Sequence, residues 1–437
     1  MAHWAIDFVA IPLLLPFLCA WIILARIISF LAPFTIIPSI ILAHKLYWAV
    51  PLAPAIWRGR RFRGGFQRLG FEATYCMNVV RRFLTLPLRP YTPDVYILGF
   101  PKCGTTALHT YLAQHPAVAA LDGLPWHPAL SKESHFFNGV LGRNSASSRT
   151  LYRSFFPTFL MRWWKERICG SGGWFCIDAC PVFACLPYTA RRIAAISPNA
   201  KLIFAVRNPV DASFSTEIML RNLGLSLPWS FMEDVIASDP RFAETEDDIK
   251  FWNDLENLGI NDPLPKSLPN RFYMKCSTIL RCAQYADRIK SFMEVFPKEN
   301  IIFVDFEELN KNPEKTVKGV LQFIGADITH PKYNFSPLPV SKGERRGRRM
   351  HPAVRRKLQH YFAIPNQKLF AIVGKEFSNW DSWVGGDEEE GSAEISPVEE
   401  IFLDAHAGSL PVPPGHAPAL RKDSSLVKRS ISITAQV

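Results

Sequence analysis

Cysteine is scarce and oddly numbered, with nine in 437 residues. An odd count cannot pair completely, and so few in so long a chain make no disulfide framework. No Cys-x-x-Cys spacing occurs, and Cys176, Cys180 and Cys185 have no histidine near them in sequence, so no metal site is expected. Charge is also sparse, at 20% against 48% apolar residues, which excludes wholesale disorder. The nucleotide-binding pattern G-x-x-x-x-G-K-[ST] is missing, and so is any internal repeat.

Acids are nearly missing from two stretches. Arg58–Arg89 holds eight arginines and one acid (Glu72), and Lys342–Lys357 holds eight bases and one acid (Glu344). The whole chain nets +11 and each stretch nets +7, so the remainder is slightly acidic and the basicity is local. Between Phe8 and Ala43 charge almost vanishes. Arg26 alone separates apolar runs of 18 and 17 residues. Each run is close to the about 20 residues that span a bilayer. A basic leader and a cleavage site are lacking, so an uncleaved membrane anchor is expected, as one helix or two. The arginines that follow favour a cytosolic flank by the positive-inside rule, which weakens ahead of a long domain.

These shifts divide the chain. Residues 1–56 are expected to form the anchor, 57–93 a basic juxtamembrane linker and 94–384 a globular domain. Residues 385–437 read as a disordered tail, because Gly385–Asp404 has eight acids and no base. Within the domain, apolar runs at 95–100, 201–206 and 301–304 read as strands. Helices are expected after them at 105–114, 209–222 and 313–324. Continuous apolar strands alternating with helices predict an α/β fold of three α/β/α layers, with a central parallel sheet covered on both faces. Ligands bind such sheets at the carboxyl ends of the strands.

The first strand runs into Pro101-Lys102-Cys103-Gly104-Thr105-Thr106 and then a helix. Helix-start amides lack intrahelical partners, and the helix dipole favours an anion there. Gly104 permits close backbone approach, Lys102 adds charge, and Thr105 and Thr106 add hydroxyls. No strand shows a clear acidic end for a magnesium ion.

This loop resembles the 5′-phosphosulfate loop of sulfotransferases, enzymes that use the sulfate donor PAPS on a P-loop NTPase-like fold. Ala205-Val206-Arg207-Asn208-Pro209, with Ser215 farther along, resembles their 3′-phosphate segment. Lys132-Glu133-Ser134-His135-Phe136-Phe137 resembles the Lys-Glu-x-x-Phe-Phe segment of membrane-bound carbohydrate sulfotransferases of heparan and chondroitin type. Gly347–Pro352 resembles their basic cofactor-covering loop, with His351 structural. One segment departs. Where the heparan sulfate enzymes carry Glu-Lys-Thr-Pro, this chain reads Asp178-Ala179-Cys180-Pro181.

The resemblance implies a PAPS-dependent sulfotransferase acting on a carbohydrate hydroxyl, with Glu133 as general base and Lys102 as a second catalytic group. Desolvation of Glu133 against Phe136 and Phe137 would raise its basicity. The donor would be held by Lys102, Cys103, Gly104, Thr105, Thr106, Arg207, Ser215, Lys342, Arg348 and Arg349. Neither a metal nor nucleic acid is implied. A glycan acceptor implies a Golgi membrane protein with a lumenal catalytic domain. Two other readings stay open: a P-loop nucleotide kinase or hydrolase, and a catalytically silent membrane scaffold.

Overall fold

The computed structural model describes residues 81–122, 132–138, 146–222, 245–265, 268, 276–329, 350–377 and 380. The expected anchor, the linker up to residue 80, Lys342, Arg348, Arg349 and the tail lie outside them. Five parallel strands form one sheet: β1 (Val95–Gly99), β2 (Val118–Ala119), β3 (Phe175–Asp178), β4 (Lys201–Val206) and β5 (Ile301–Asp305), in the order β2-β3-β1-β4-β5. The described helices are α1 (Thr105–Leu112), α2 (Ala146–Arg153), α3 (Phe159–Trp163), α4 (Val182–Cys185), α5 (Thr189–Ile196), α6 (Pro209–Asn222), α7 (Glu246–Glu256), α8 (Cys276–Cys282), α9 (Tyr285–Met293), α10 (Phe306–Lys311), α11 (Pro313–Ile324) and α12 (Pro352–Val373).

Strand alternation explains why the sheet is covered twice. Tyr96 and Leu98 join Leu202 and Phe204 in one core, closed by Ile289 of α9 and Leu358 and Phe362 of α12. Val95 and Ile97 point the other way, joining Ile203 and Val304 under Leu108 of α1 and Val317 and Leu321 of α11. A strand apolar on both faces has no solvent side, so its run is unbroken rather than alternating. An ion pair between Arg355 and Asp211 ties α12 to α6. One base of the Lys342–Lys357 cluster therefore serves the fold.

The chain path sets the site. From β1 the chain builds β2 and β3 on one side, then crosses to build β4 and β5 on the other. Connections leave the carboxyl ends of β1 and β4 in opposite directions, although the two strands are paired from Val95↔Lys201 to Gly99↔Ala205. Such a switch point opens a crevice at the strand ends. Strands β2 and β3 escape the sequence reading because β2 has two residues and β3 ends on a buried acid. Two strands do end on acids, β3 at Asp178 and β5 at Asp305. Among the described residues, no helix is long and apolar enough to cross a membrane.

The closeness of β1 and β4 makes Gly99 a spacer. A Cβ there would fall 2.5 Å from Thr105 Cγ2 and 2.9 Å from Ala205 Cβ. Gly99→Ala is expected to cost about 1–3 kcal/mol, the usual penalty of overpacking, as a lower midpoint in denaturant unfolding.

Candidate active site

Lys102 and Gly104 both take left-handed backbone conformations, with φ of 69° and 87°. Two such residues within three curl the chain between β1 and α1, and glycine is needed at the second. A Cβ on Gly104 would sit 2.8 Å from Phe306 Cδ2. Left-handed residues in a tight turn gather backbone N–H groups into an anion-binding concavity, here at the start of α1. Cys103 contributes only backbone, because its side chain is buried beside the Tyr285 hydroxyl at 3.5 Å, and burial pushes its thiol up to about 11.

Arg207 follows β4 directly and faces the same crevice. Its Nη1 donates to the Lys102 carbonyl at 3.3 Å, and its guanidinium lies 4.3 Å from the centre of the Phe306 ring. Its Nε is buried without a hydrogen-bond partner among the described residues. An unsatisfied buried guanidinium donor is costly in an empty site and useful in one that receives an anion. Ser215 is buried on α6, in the helix that begins two residues after Arg207.

The segment 132–138 brings the expected base to the loop. Lys132 is buried, and its Nζ donates to Thr105 Oγ1 at 3.1 Å and Thr106 Oγ1 at 3.2 Å. The same ammonium lies 2.6 Å from Glu133 Oε1, while His135 Nε2 lies 3.1 Å from Glu133 Oε2. Glu133 alone in this segment is part-exposed, its side chain 19% exposed, while the others are buried. Burial pushes its carboxyl up, but the Lys132 ammonium and His135 outweigh it and hold the group down at about 2. The expectation of a raised Glu133 is therefore corrected: Phe136 and Phe137 do pack in the core, against Tyr152 and Phe183, but two nitrogen partners decide the carboxylate.

Asp178 holds this arrangement from below. Its oxygens accept from Ser134 Oγ at 2.5 Å, the Ser134 amide at 3.3 Å and Tyr152 Oη at 2.7 Å. The Ala179 amide donates to the Lys132 carbonyl at 3.0 Å. His135 takes a positive φ of 51°, so the chain turns sharply just after the base. Burial pushes Asp178 up to about 6 against its hydrogen bonds from Ser134 and Tyr152. Ala179 is fully buried, so no cation reaches the site from that position.

Of the expected residues, the structure joins Lys102 to Arg207 and Thr105 and Thr106 to the Glu133 segment. Lys342, Arg348 and Arg349 lie outside the described residues. The sequence reading gave no role to Lys132, His135 or Asp178, or to His109, which burial, then Lys132, push down to about 4. Lys132 and His135 stood inside the recognised motif. Asp178 stood at the glutamate position of the segment set against Glu-Lys-Thr-Pro, at the end of an apolar stretch. Glu133, His135 and Cys180 place possible ligand atoms within 4.8 Å of one another. Lys132 already occupies one Glu133 oxygen, and burial pushes the Cys180 thiol well up, so the group reads as a hydrogen-bonded carboxylate rather than a cation site.

A sulfotransferase family model matches residues 93–257, and a sulfotransferase domain model matches residues 180–338. The chain belongs to the sulfotransferases. Its relatives include the membrane-associated sulfotransferase kil1 of Dictyostelium discoideum, 25% identical over 69% of this chain and 68% of that protein. The heparan sulfate glucosamine 3-O-sulfotransferase 6 of Mus musculus is 26% identical over 68% of this chain and 75% of its own length. The bifunctional heparan sulfate N-deacetylase/N-sulfotransferase 1 of Caenorhabditis briggsae is 26% identical over 67% of this chain but only 31% of its own length. Both family models span segments described above: the first three strands' loops, the Glu133 segment and Arg207 fall within residues 93–257.

Asp178 gives this sulfotransferase a measurable pH signature. Its folded pKa of about 6 exceeds its ordinary 3.8, so the fold prefers the protonated form. That contribution is complete below about pH 4 and is lost as pH rises through about 6. Asp178→Asn, which cannot titrate, is expected to gain roughly 2–3 kcal/mol on wild type between about pH 4 and pH 7, at about 1.4 kcal/mol per pKa unit. Denaturant unfolding across that range checks it; a constant difference would count against the assignment.

Proposed function

We propose that this chain transfers a sulfonyl group from PAPS to a hydroxyl of a carbohydrate acceptor, with Glu133 as general base. One observation carries the reading: Lys132 binds Thr105 and Thr106 of the anion loop and the Glu133 carboxylate at once. A base is thereby fixed beside the place where a phosphosulfate would lie. The unpartnered Arg207 Nε and the left-handed turns at Lys102 and Gly104 fit an anionic donor. Lys102, Gly104, Thr105, Thr106 and the Cys103 backbone would hold its 5′ end. Arg207 and Ser215 would hold its 3′-phosphate, and Lys342, Arg348 and Arg349 would cover it. When bound, PAPS supplies an activated sulfonyl group.

The chain's own groups do the rest. Glu133 takes the acceptor proton from its exposed edge, and Lys102 with the start of α1 stabilises negative charge on the phosphate side. Lys132 couples the two events. Negative charge beside Thr105 and Thr106 draws its ammonium toward the loop. That weakens its hold on Glu133, and the carboxylate becomes a stronger base as the donor arrives. His135 keeps the other oxygen oriented. The relatives named for heparan sulfate support a glycosaminoglycan acceptor. The apolar N-terminal run and the membrane-associated relative support a Golgi membrane enzyme with its domain in the lumen.

The test is transfer of labelled sulfate from PAPS by the full chain, over a panel of desulfated polysaccharides. Glu133→Gln is expected to lower kcat by about 10²–10⁴-fold, the usual worth of a general base. Arg207→Ala should act mainly on the KM for PAPS. Donor binding without transfer, unchanged by Glu133→Gln, would leave a silent scaffold. Magnesium-dependent release of phosphate from ATP in place of transfer would favour the kinase or hydrolase reading.

Lys132→Ala separates the base from its counter-ion. In wild type, kcat/KM should show no loss from Glu133 above about pH 4, since the free enzyme holds that group near 2. Without Lys132, burial dominates and the Glu133 pKa rises. The variant should then lose activity on the acid side at a pH clearly above wild type. An unmoved acid limb would remove Glu133 from the base role.

A further inference from the structure

Helix α3 and the π-turn that continues it, Trp164–Ile168, bury no residue at all. Yet this short stretch is mostly apolar. Phe159, Leu160, Met161, Trp163, Trp164 and Ile168 are each between 39% and 52% exposed. A soluble surface scatters such residues singly, and a contiguous projecting cluster marks a contact. Cations are interleaved with it: Arg162, Lys165 and Arg167 against the single acid Glu166, which pairs with Arg162 at 3.0 Å.

The surroundings point to the occupant. The chain reaches the domain through the helical turn 81–84, where Phe83 and Leu84 are also exposed. That turn is clamped next to the base of α3. Arg81 and Arg89 pair with Asp122 at 2.6 Å each, Arg82 stacks 4.8 Å from the Phe155 ring, and Arg162 lies 5.2 Å from the Tyr91 ring. The segment entering here leads back to the apolar run Phe8–Ala43, so α3 projects from the part of the domain where the chain from that run enters.

We propose that α3 and its π-turn dock the catalytic domain on the headgroup surface of a lipid bilayer. Tryptophan and phenylalanine settle at the headgroup level, leucine, methionine and isoleucine enter the acyl boundary, and Lys165 and Arg167 meet headgroup phosphates. A protein groove would prefer one apolar stripe, whereas here apolar and basic side chains surround a helix with no buried face. Docking by a second element would fix the domain's orientation relative to the membrane, which an anchor tethered through a linker does not. The proposal uses the anchor reading for its geometry but not for its chemistry.

Cys169 gives a native probe, since it is exposed directly after the π-turn while the other six described cysteines are buried. With Cys19→Ser and Cys76→Ser, the full chain is labelled at Cys169 with an environment-sensitive fluorophore. It is then reconstituted in phosphatidylcholine vesicles with and without phosphatidylserine. The label should shift to the blue and be quenched by lipids carrying a shallow nitroxide, more strongly with phosphatidylserine. Trp163→Ser with Trp164→Ser, and separately Lys165→Glu with Arg167→Glu, should each reduce that quenching at least twofold. Neither pair should alter thermal unfolding or transfer to a soluble acceptor. A fully aqueous label in the vesicle-bound chain overturns the proposal. So does a label shielded from aqueous quencher but untouched by lipid nitroxide, which would mean a protein partner. Resistance of the chain to alkaline extraction reports the anchor separately, so the two readings fail independently.

Discussion

The Lys132 ammonium is the interaction on which the site depends. It has three donors, and the structure gives it three acceptors: Thr105 Oγ1, Thr106 Oγ1 and Glu133 Oε1. The group is buried, so each contact matters more than it would in water. Removing one partner of a buried pair leaves the other charge stranded, typically at about 3–5 kcal/mol. Such a cation cannot be indifferent to its neighbours. It fixes the distance between anion loop and base, and it sets the base's proton affinity. Any anion that enters the loop must therefore be felt by Glu133 through one side chain.

The fold makes that contact possible by strand order rather than by sequence proximity. The loop follows β1, and the segment carrying Lys132 and Glu133 is pinned to the end of β3 through Asp178 and the Ala179 amide. Strands β1 and β3 are paired neighbours, with Val95 opposite Ile177. Arg207 comes from β4, the other neighbour of β1. Three strand ends thus deliver one cation, one base and one anion loop to a common edge. The positive φ at His135, Lys102 and Gly104 shows where the backbone is bent to do so. Such conformations are uncommon outside glycine and cluster where function demands them.

Much of this was legible from the sequence, for physical reasons. Strands β1, β4 and β5 are unbroken apolar runs because both faces are buried, and helices α6 and α11 begin at prolines, which favour the first turn of a helix. The loop was legible because glycine, lysine and threonines stand between a strand and a helix start, and Arg207 because its segment resembles the sulfotransferase 3′-phosphate segment. What the sequence hid was pairwise. Desolvation alone predicted a raised Glu133. Its depression comes from Lys132 and His135, whose positions depend on a left-handed turn that no residue type announces. Arg81, Arg82 and Arg89 read as part of a basic juxtamembrane linker, yet all three contact Asp122. A run of like charges does not reveal which members have found a partner across the fold.

The distribution of acids at the strand ends bears on the kind of transfer the crevice supports. A nucleotide kinase needs an acid there with lone pairs turned toward a magnesium ion. Among the described residues, three acids stand near the loop and each is engaged from within: Asp305 accepts from the Glu307 amide and caps α10. Asp178 takes its hydrogen bonds from Ser134 and Tyr152. Glu133 takes Lys132 on one oxygen and His135 on the other. Charge on an incoming group would instead meet fixed cations, Lys102, Lys132 and Arg207, with a helix start between them. That balance suits a donor whose negative charge is neutralised by the protein itself. In the function proposed above, Glu133, released as Lys132 turns to the donor, is the group that takes the acceptor proton.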